Sequence, residues 1–389
     1  MKKIAIIGKG TAGAQAAAHF NRWMPECELE WHFDSSIPTQ AVGEGSVLTI
    51  PHNLFESLNF SHEDLKHIDG TFKTGIMKYN WGDSNTTFMH DFSPPSIGYH
   101  FNARALQEYI LNYLKDKIKI FDHNISIDDV DADYIMDCSG KPKSYEDYNL
   151  TRYIPVNSVH VVQCWWDNVT FQHTKAIATK YGWVFAIPLL NRCSIGYLYN
   201  KDINTLDEVK EDVQDIINQL GLTSSNDTIT FSFKNYSRKQ NFKANIAYNG
   251  NASFFVEPLE ANSLCMMDAV QRSAFDIWSN GASIDQQNKI YSDKVSRIEN
   301  IVMMHYFAGS KFKTPFWEFA QERGVKCMEN ADSDFRYMAM HCNDLEGVGQ
   351  YVSPRLNFDI KSYFFWGYPS FYQNVNGLGV KDKLKEIWI

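Results

Sequence analysis

Four apolar residues, Ile4-Ala5-Ile6-Ile7, open straight into Gly8-Lys9-Gly10-Thr11-Ala12-Gly13. A short unbroken apolar run that ends in glycines predicts a strand buried on both faces, with a helix starting in the turn. Leu29-Glu30-Trp31-His32-Phe33 predicts a second strand, and it ends in Asp34. Helical spacing follows over about Ile50–Leu58 and over Phe101–Leu114, where Leu106, Tyr109, Ile110 and Leu114 share a face. Tyr134-Ile135-Met136-Asp137 is a third apolar strand, closing in Cys138-Ser139-Gly140, and it is expected to return to the same parallel sheet.

From about Thr151 to Leu198 the pattern shortens to a period of two. Val159–Gln163, Trp183–Ile187 and Ser194–Leu198 read as an antiparallel sheet covering one side of a pocket. An acidic amphipathic helix is expected over Leu206–Leu220, and helical spacing dominates from Glu260 to about Asn330. The tail from Val352 is aromatic-rich and reads as irregular. Its cluster Tyr363-Phe364-Phe365-Trp366 suits a core or subunit contact, which leaves a homo-oligomer open.

The length of 389 residues suits one large or two modest domains. Aromatic side chains make up 14%, which argues against disorder and for ring-lined interiors. A net charge of −9 without a basic run points away from nucleic acid and from anionic membrane surfaces. The seven cysteines are scattered and contain no Cys-x-x-Cys pair, so they predict reduced thiols of a cytoplasmic protein and no metal site. No run approaches the length of a membrane span.

The chemistry begins at Gly-x-Gly-x-x-Gly. Placed between a strand and a helix, it sets the helix N-terminus and its unpaired N–H groups against a pyrophosphate. Gly8 permits the tight turn, Gly10 lets the phosphates approach, and Gly13 allows close helix–strand packing. Asp34 falls about twenty residues later, where an acid takes the ribose hydroxyls.

Further segments extend this pattern in order. They are Val42-Gly43-Glu44-Gly45-Ser46, Phe72-Lys73-Thr74-Gly75-Ile76 with Asn80-Trp81, and Tyr99-His100-Phe101-Asn102. Asp137–Gly140, Gly182–Pro188 and Phe255-Val256-Glu257-Pro258-Leu259-Glu260 complete the set. Together the chain resembles the flavin-dependent halogenases of the tryptophan-halogenase type, members of the FAD monooxygenase fold. The implied fold is α/β: a Rossmann-type FAD-binding domain with an inserted antiparallel sheet and a mainly helical C-terminal region. The implied division is 1–290, including the sheet at 151–200, and a helical, aromatic-rich substrate or capping region over 291–389.

The resemblance implies reduced FAD supplied by a separate flavin reductase, with O2 and halide as further reactants. Halide becomes hypohalous acid, which is guided inside the protein to a small electron-rich aromatic such as an indole or phenol. Lys73 matches the catalytic lysine and Glu260 the catalytic carboxylate. Gly8, Gly10, Thr11, Ala12, Gly13, Asp34, Asp137, Val42, Gly43, Glu44, Pro258, Trp183, Ile187 and Pro188 fall on flavin-side positions. Trp183, Phe185, Ile187 and Pro188 occupy the Trp-x-Trp-x-Ile-Pro wall between flavin and substrate, with Phe185 in place of the second tryptophan. Ala261-Asn262-Ser263 stands where the family has Ser-Thr-Gly at the halide, and His90 with Phe92 loosely matches the pair that sandwiches the substrate. The altered halide segment suggests bromide or iodide over chloride. The same fold also serves an FAD-dependent aromatic monooxygenase or a non-catalytic flavin-binding relic.

Overall fold

A computed structural model describes residues 1–38, 45–83, 86–92, 96–343 and 362–388. Packing divides the chain into two interleaved units. The first holds Met1–Lys73, Ser96–Leu150 and Lys234–Val295, and the second holds Thr74–Pro95, Thr151–Phe233 and Ser296–Ile389. This differs from a linear cut near residue 290, and strand pairing is the reason. Residues 75–91 leave the first unit to join the sheet built by 158–232, so the antiparallel sheet belongs with the C-terminal helices.

Numbered along the chain, the first unit is built on β1 (Lys3–Ile7), β2 (Glu28–Phe33), β7 (Lys119–Asp122), β8 (Tyr134–Asp137), β16 (Phe242–Lys243) and β17 (Ile246–Tyr248). Their order is β16-β17-β8-β1-β2-β7, parallel except for the β16–β17 hairpin. The chain winds outward from β1 through β2 to β7, then returns to β8 on the other side of β1. The switch point therefore lies at the carboxyl ends of β1 and β8, where open α/β sheets bind ligands. Helices α1 (Thr11–Trp23), α2 (Thr49–Leu58), α3 (Ala103–Leu114) and α5 (Asn262–Asn280) belong to the same unit. Strand β3 (Thr71–Lys73) pairs with β6 (Gly98–His100), and β9 (Tyr148–Leu150), β15 (Tyr236–Arg238) and β18 (Phe254–Phe255) form a small sheet.

The second unit is a seven-stranded sheet of β4 (Gly75–Trp81), β5 (Thr86–Asp91), β10 (Ser158–Trp165), β11 (Thr174–Thr179), β12 (Gly182–Pro188), β13 (Arg192–Tyr199) and β14 (Thr223–Ser232). The order is β14-β10-β13-β12-β11-β4-β5. Alternation gives the sheet two apolar faces. Val184, Ala186, Ile195 and Tyr197 pack under α4 (Leu206–Gln219), which presents Val209, Val213, Ile216 and Ile217. That helix starts where a capping box demands it, with Thr205 and Glu208 exchanging hydrogen bonds. Trp183, Phe185 and Ile187 point to the other face, where Trp183 meets Trp81 at 6.4 Å between ring centroids.

Helix α6 (Ile284–Ala308) runs from the first unit into the second, which adds α7 (Pro315–Glu329), α8 (Ser333–His341), α9 (Tyr368–Gly377) and α10 (Lys381–Trp388). The two last helices correct the expectation of an irregular tail. The aromatic density around Tyr368 and Phe371 hides a helical spacing that continues through Val375, and Pro369 sits in the first turn, where its missing N–H costs nothing. Tyr363, Trp366 and Phe371 are buried, which favours the core reading of this cluster. Among the described residues no helix is long and apolar enough to cross a membrane.

Candidate active site

The glycine turn joins β1 to α1. Gly8 has φ +105°, and a Cβ there would stand 2.3 Å from the Cys138 carbonyl oxygen. A Cβ on Gly13 would stand 2.0 Å from the Gly8 carbonyl oxygen, so strand and helix require glycine at both positions. Gly10 is different. Its backbone is ordinary (φ −58°, ψ 175°), and a Cβ there would meet nothing within 4 Å. Among the described residues nothing demands glycine at Gly10, and the open space lies at the uncapped start of α1. The first-turn N–H groups of Thr11, Ala12 and Gly13 have no partners within the helix. A pyrophosphate fits this cradle.

Around it stand residues from the neighbouring strand ends. Asp137 closes β8, is buried, and accepts from the Ser139 N–H at 2.9 Å. Its carbonyl accepts from Asn249 N–H at 2.8 Å, which brings in the Asn249-Gly250 turn after β17. Gly250 has φ +57°, and a Cβ there would press to 2.7 Å from the Ala12 methyl. This turn was missed in the sequence, although Asn-Gly after an apolar strand was the available signal. Asp34 is half-exposed after β2 and its Oδ1 already accepts from the Ser36 N–H and hydroxyl at 2.9 and 2.5 Å. Val42, Gly43 and Glu44 lie outside the described residues.

Lys73 ends β3 on the inward face it shares with Thr71, and only 1% of it is exposed. Phe72 points the other way, against the rings of His62 and Tyr99. A lysine that deep is far from the surface role that composition alone would assign it. Burial holds the Cys265 thiol well above its ordinary range, and the Lys73 charge pulls the other way. Lys73 therefore lies within electrostatic reach of the first turn of α5.

Glu260 is 2% exposed and sits just before that turn. Glu260 (φ 67°) and Ala261 (φ 54°) both adopt the left-handed conformation, which costs non-glycine residues about 1–2 kcal/mol each. Helix α5 then begins at Asn262 with no side-chain cap, directly after a 3-10 turn over Leu259–Ala261. Glu257 is fully buried nearby in sequence, and Lys73, Glu257 and Glu260 all have protein partners. The buried ammonium and the positive end of α5 make this region attractive to an anion, and buried carboxylates offset the excess charge.

The remaining candidates belong to the second unit. Trp183, Phe185, Ile187 and Pro188 are buried along β12. His90 is buried on β5, contacts Ser370 Oγ at 3.0 Å, and meets Phe92 edge-on at 6.3 Å. The structure thus gathers Gly8–Gly13, Asp34, Lys73, Asp137, Pro258 and Glu260–Ser263 in one unit, and the wall residues with His90 and Phe92 in the other.

The family model described as tryptophan halogenase matches residues 3–128 and 116–342. The chain belongs to the tryptophan halogenase family. It is therefore an enzyme of the flavin-dependent halogenase class, an oxidoreductase. It is similar to tryptophan 7-halogenase RebH of Lentzea aerocolonigenes, with 21% identity over 97% of this chain and 89% of that protein. Among solved structures it resembles a tryptophan halogenase from Shewanella frigidimarina, with TM-score 0.79, 16% identity, and coverage of 100% of this chain and 93% of that one. The flavin-dependent halogenase Xcc4156 from Xanthomonas campestris gives TM-score 0.76, 16% identity, and coverage of 99% and 95%. The α/β fold is thus the family's fold. Among the described residues no group of three or more histidines, cysteines or acids is placed to hold a metal ion.

Proposed function

We propose that this protein is an FAD-dependent halogenase that uses O2 and halide to halogenate a small electron-rich aromatic. The observation that carries the reading is the burial of Lys73 in the same unit as the buried Glu260, with its charge felt at Cys265 of α5. Bound reduced FAD, delivered by a separate flavin reductase, supplies with O2 the oxidation of halide to hypohalous acid. The Gly8–Gly13 turn binds the pyrophosphate, Asp34 serves the ribose, and Asp137 lies near the phosphates or ribityl chain. Trp183, Ile187, Pro188 and Pro258, with Val42, Gly43 and Glu44, complete the flavin side.

Lys73 is a compact donor at the end of a strand. Its ammonium hydrogen-bonds the oxygen of hypohalous acid and makes the halogen more electrophilic, or its amine carries the halogen as a haloamine. Burial excludes water that would otherwise consume the electrophile. Glu260 accepts the proton that the aromatic ring loses when the carbon–halogen bond forms. Ala261, Asn262 and Ser263 line the halide site, with the Ala261 N–H held by the Pro258 carbonyl. His90 and Phe92 hold the aromatic ring. All seven cysteines are free thiols, which fits a reducing cytoplasm.

Replacing Glu260 by glutamine should lower halogenation about ten- to a hundredfold, less than loss of the lysine, because the lysine that activates the hypohalous acid is kept and only the proton acceptor is lost. Single-turnover product yield with photoreduced FAD reads this directly. The halide range follows from Ser263. A side chain where the family has glycine disturbs the turn that presents the anion donors, and weaker donors lose the most strongly hydrated halide first. Bromination and iodination are expected to exceed chlorination, with free tryptophan a poor substrate. Competition at equal halide concentrations, with a scavenger for released hypohalous acid, checks this. Strict chlorination of tryptophan at one carbon would overturn it.

The reading as a whole is tested by admitting oxygen to the photoreduced FAD complex with an indole, a phenol or an aniline, with and without bromide. Halogenated product supports it. Hydroxylated product without halide would replace it with monooxygenation, and absence of flavin turnover with a binding role.

A further inference from the structure

The side chain of Asn262 does something that its position in the halide segment does not require. It is fully buried at the first position of α5, and its Nδ2 donates to two carbonyl oxygens, those of Glu257 and Leu259, each at 2.9 Å. Between and after those carbonyls, the Ala261 N–H donates to the Pro258 carbonyl at 2.9 Å. Every one of these contacts lies across the stretch that carries Glu260 and Ala261 in left-handed conformations. Two consecutive left-handed residues without glycine do not persist unless their surroundings over-determine them. A primary amide offers two donors from one uncharged nitrogen, and here both are spent on that stretch.

We infer that Asn262 is a positioning residue, whose amide locks the Glu257–Ala261 turn and thereby aims the Glu260 carboxylate. This rests on the halogenase reading for its kinetic consequence, but its structural part is independent of it. The threonine that the family places here has a single hydroxyl donor, so the double anchor is a property of this chain. Among the described residues the buried Asn262 Oδ1 has no donor, which is costly unless a water or a bound ligand supplies one. Its neighbourhood is therefore one that a small polar molecule completes.

The test uses the full chain loaded with FAD. Asn262→Ala removes the amide, and Asn262→Asp keeps its shape while replacing the donors with carboxylate oxygens. Both should lower the halogenation kcat about ten- to a hundredfold, the scale set by misplacing a catalytic group by about an ångström, with FAD affinity unchanged. In a Glu260→Gln background the same substitutions should cost less than about threefold, because the group being aimed is already disabled. Equal losses in both backgrounds, or an Asn262→Asp variant with full activity, would overturn the inference.

Hydrogen exchange supplies a readout besides activity. Peptides spanning residues 257–264 should lose protection in both variants while those of α1 and β1 keep theirs. Unchanged protection in 257–264 would refute the anchoring whatever reaction the enzyme performs. If the unsubstituted chain binds FAD but halogenates nothing, the functional reading fails while the exchange result still decides the anchor. A crystal structure of the unsubstituted chain with Asn262 turned away from both carbonyls would overturn it even if neither variant folds.

Discussion

Replacing Lys73 by alanine is expected to abolish halogenation, a loss of about a thousandfold or more, while FAD binding and oxygen consumption by the reduced complex continue. The expectation comes from burial and position. Lys73 lies 1% exposed at the end of β3, within electrostatic reach of Cys265 in α5 and outside the Gly8–Gly13 turn. Its removal takes away a hydrogen-bond donor to the electrophile without touching a flavin contact. Truncation also has a structural side, since it leaves a cavity along the buried stem. Lys73→Met, which keeps volume along the stem, separates the two effects. Thermal melting should show a modest change while product yield falls as far as in the alanine variant. Retention of most activity in either variant would move the chemistry to another group or to free hypohalous acid.

Gly10→Val is the second large effect, expected in binding alone. FAD affinity should weaken about a hundredfold or more, equivalent to about 3 kcal/mol, because the added methyl groups occupy the space where the phosphates approach. The fold should tolerate the change. At φ −58° and ψ 175° a valine backbone is comfortable, and an added Cβ meets no protein atom within 4 Å. The apo protein should therefore melt within about 1 kcal/mol of the unsubstituted chain. Titration of each apoprotein with FAD, followed by flavin fluorescence, measures the difference. Normal affinity in the valine variant would place the pyrophosphate elsewhere. Gly13→Val makes a useful contrast, since that Cβ would stand 2.0 Å from the Gly8 carbonyl and strike the fold itself.

Much of this architecture is local in origin and was therefore readable along the chain. A strand ended by glycines, an alanine-rich helix behind it and an alternating run such as Trp183–Ile187 express their structure through neighbours in sequence. The same holds for α4, whose capping box and apolar stripe lie within fourteen residues. Candidate catalytic positions were legible in another way. Lys73 and Glu260 stood out only through the ordered resemblance of the segments around them, since an isolated lysine or glutamate carries no such mark.

Tertiary structure alone decided the rest. The partition into two interleaved units depends on β4 pairing with β11, about a hundred residues away, and pairings over such distances leave no periodic trace in sequence. The burial of Lys73 was likewise undetermined, because a three-residue strand has no pattern long enough to declare its inward face. The left-handed pair Glu260–Ala261 contradicts local preference, which favours glycine there, and its cost is met by the Asn262 amide and the surrounding packing. The sequence by itself determined the glycine turn between strand and helix, the sheet types and the family. The fold determined which charges are buried together and how the helix N-terminus beside them is aimed, because desolvation and strain are set by what packs around a residue, not by what precedes it.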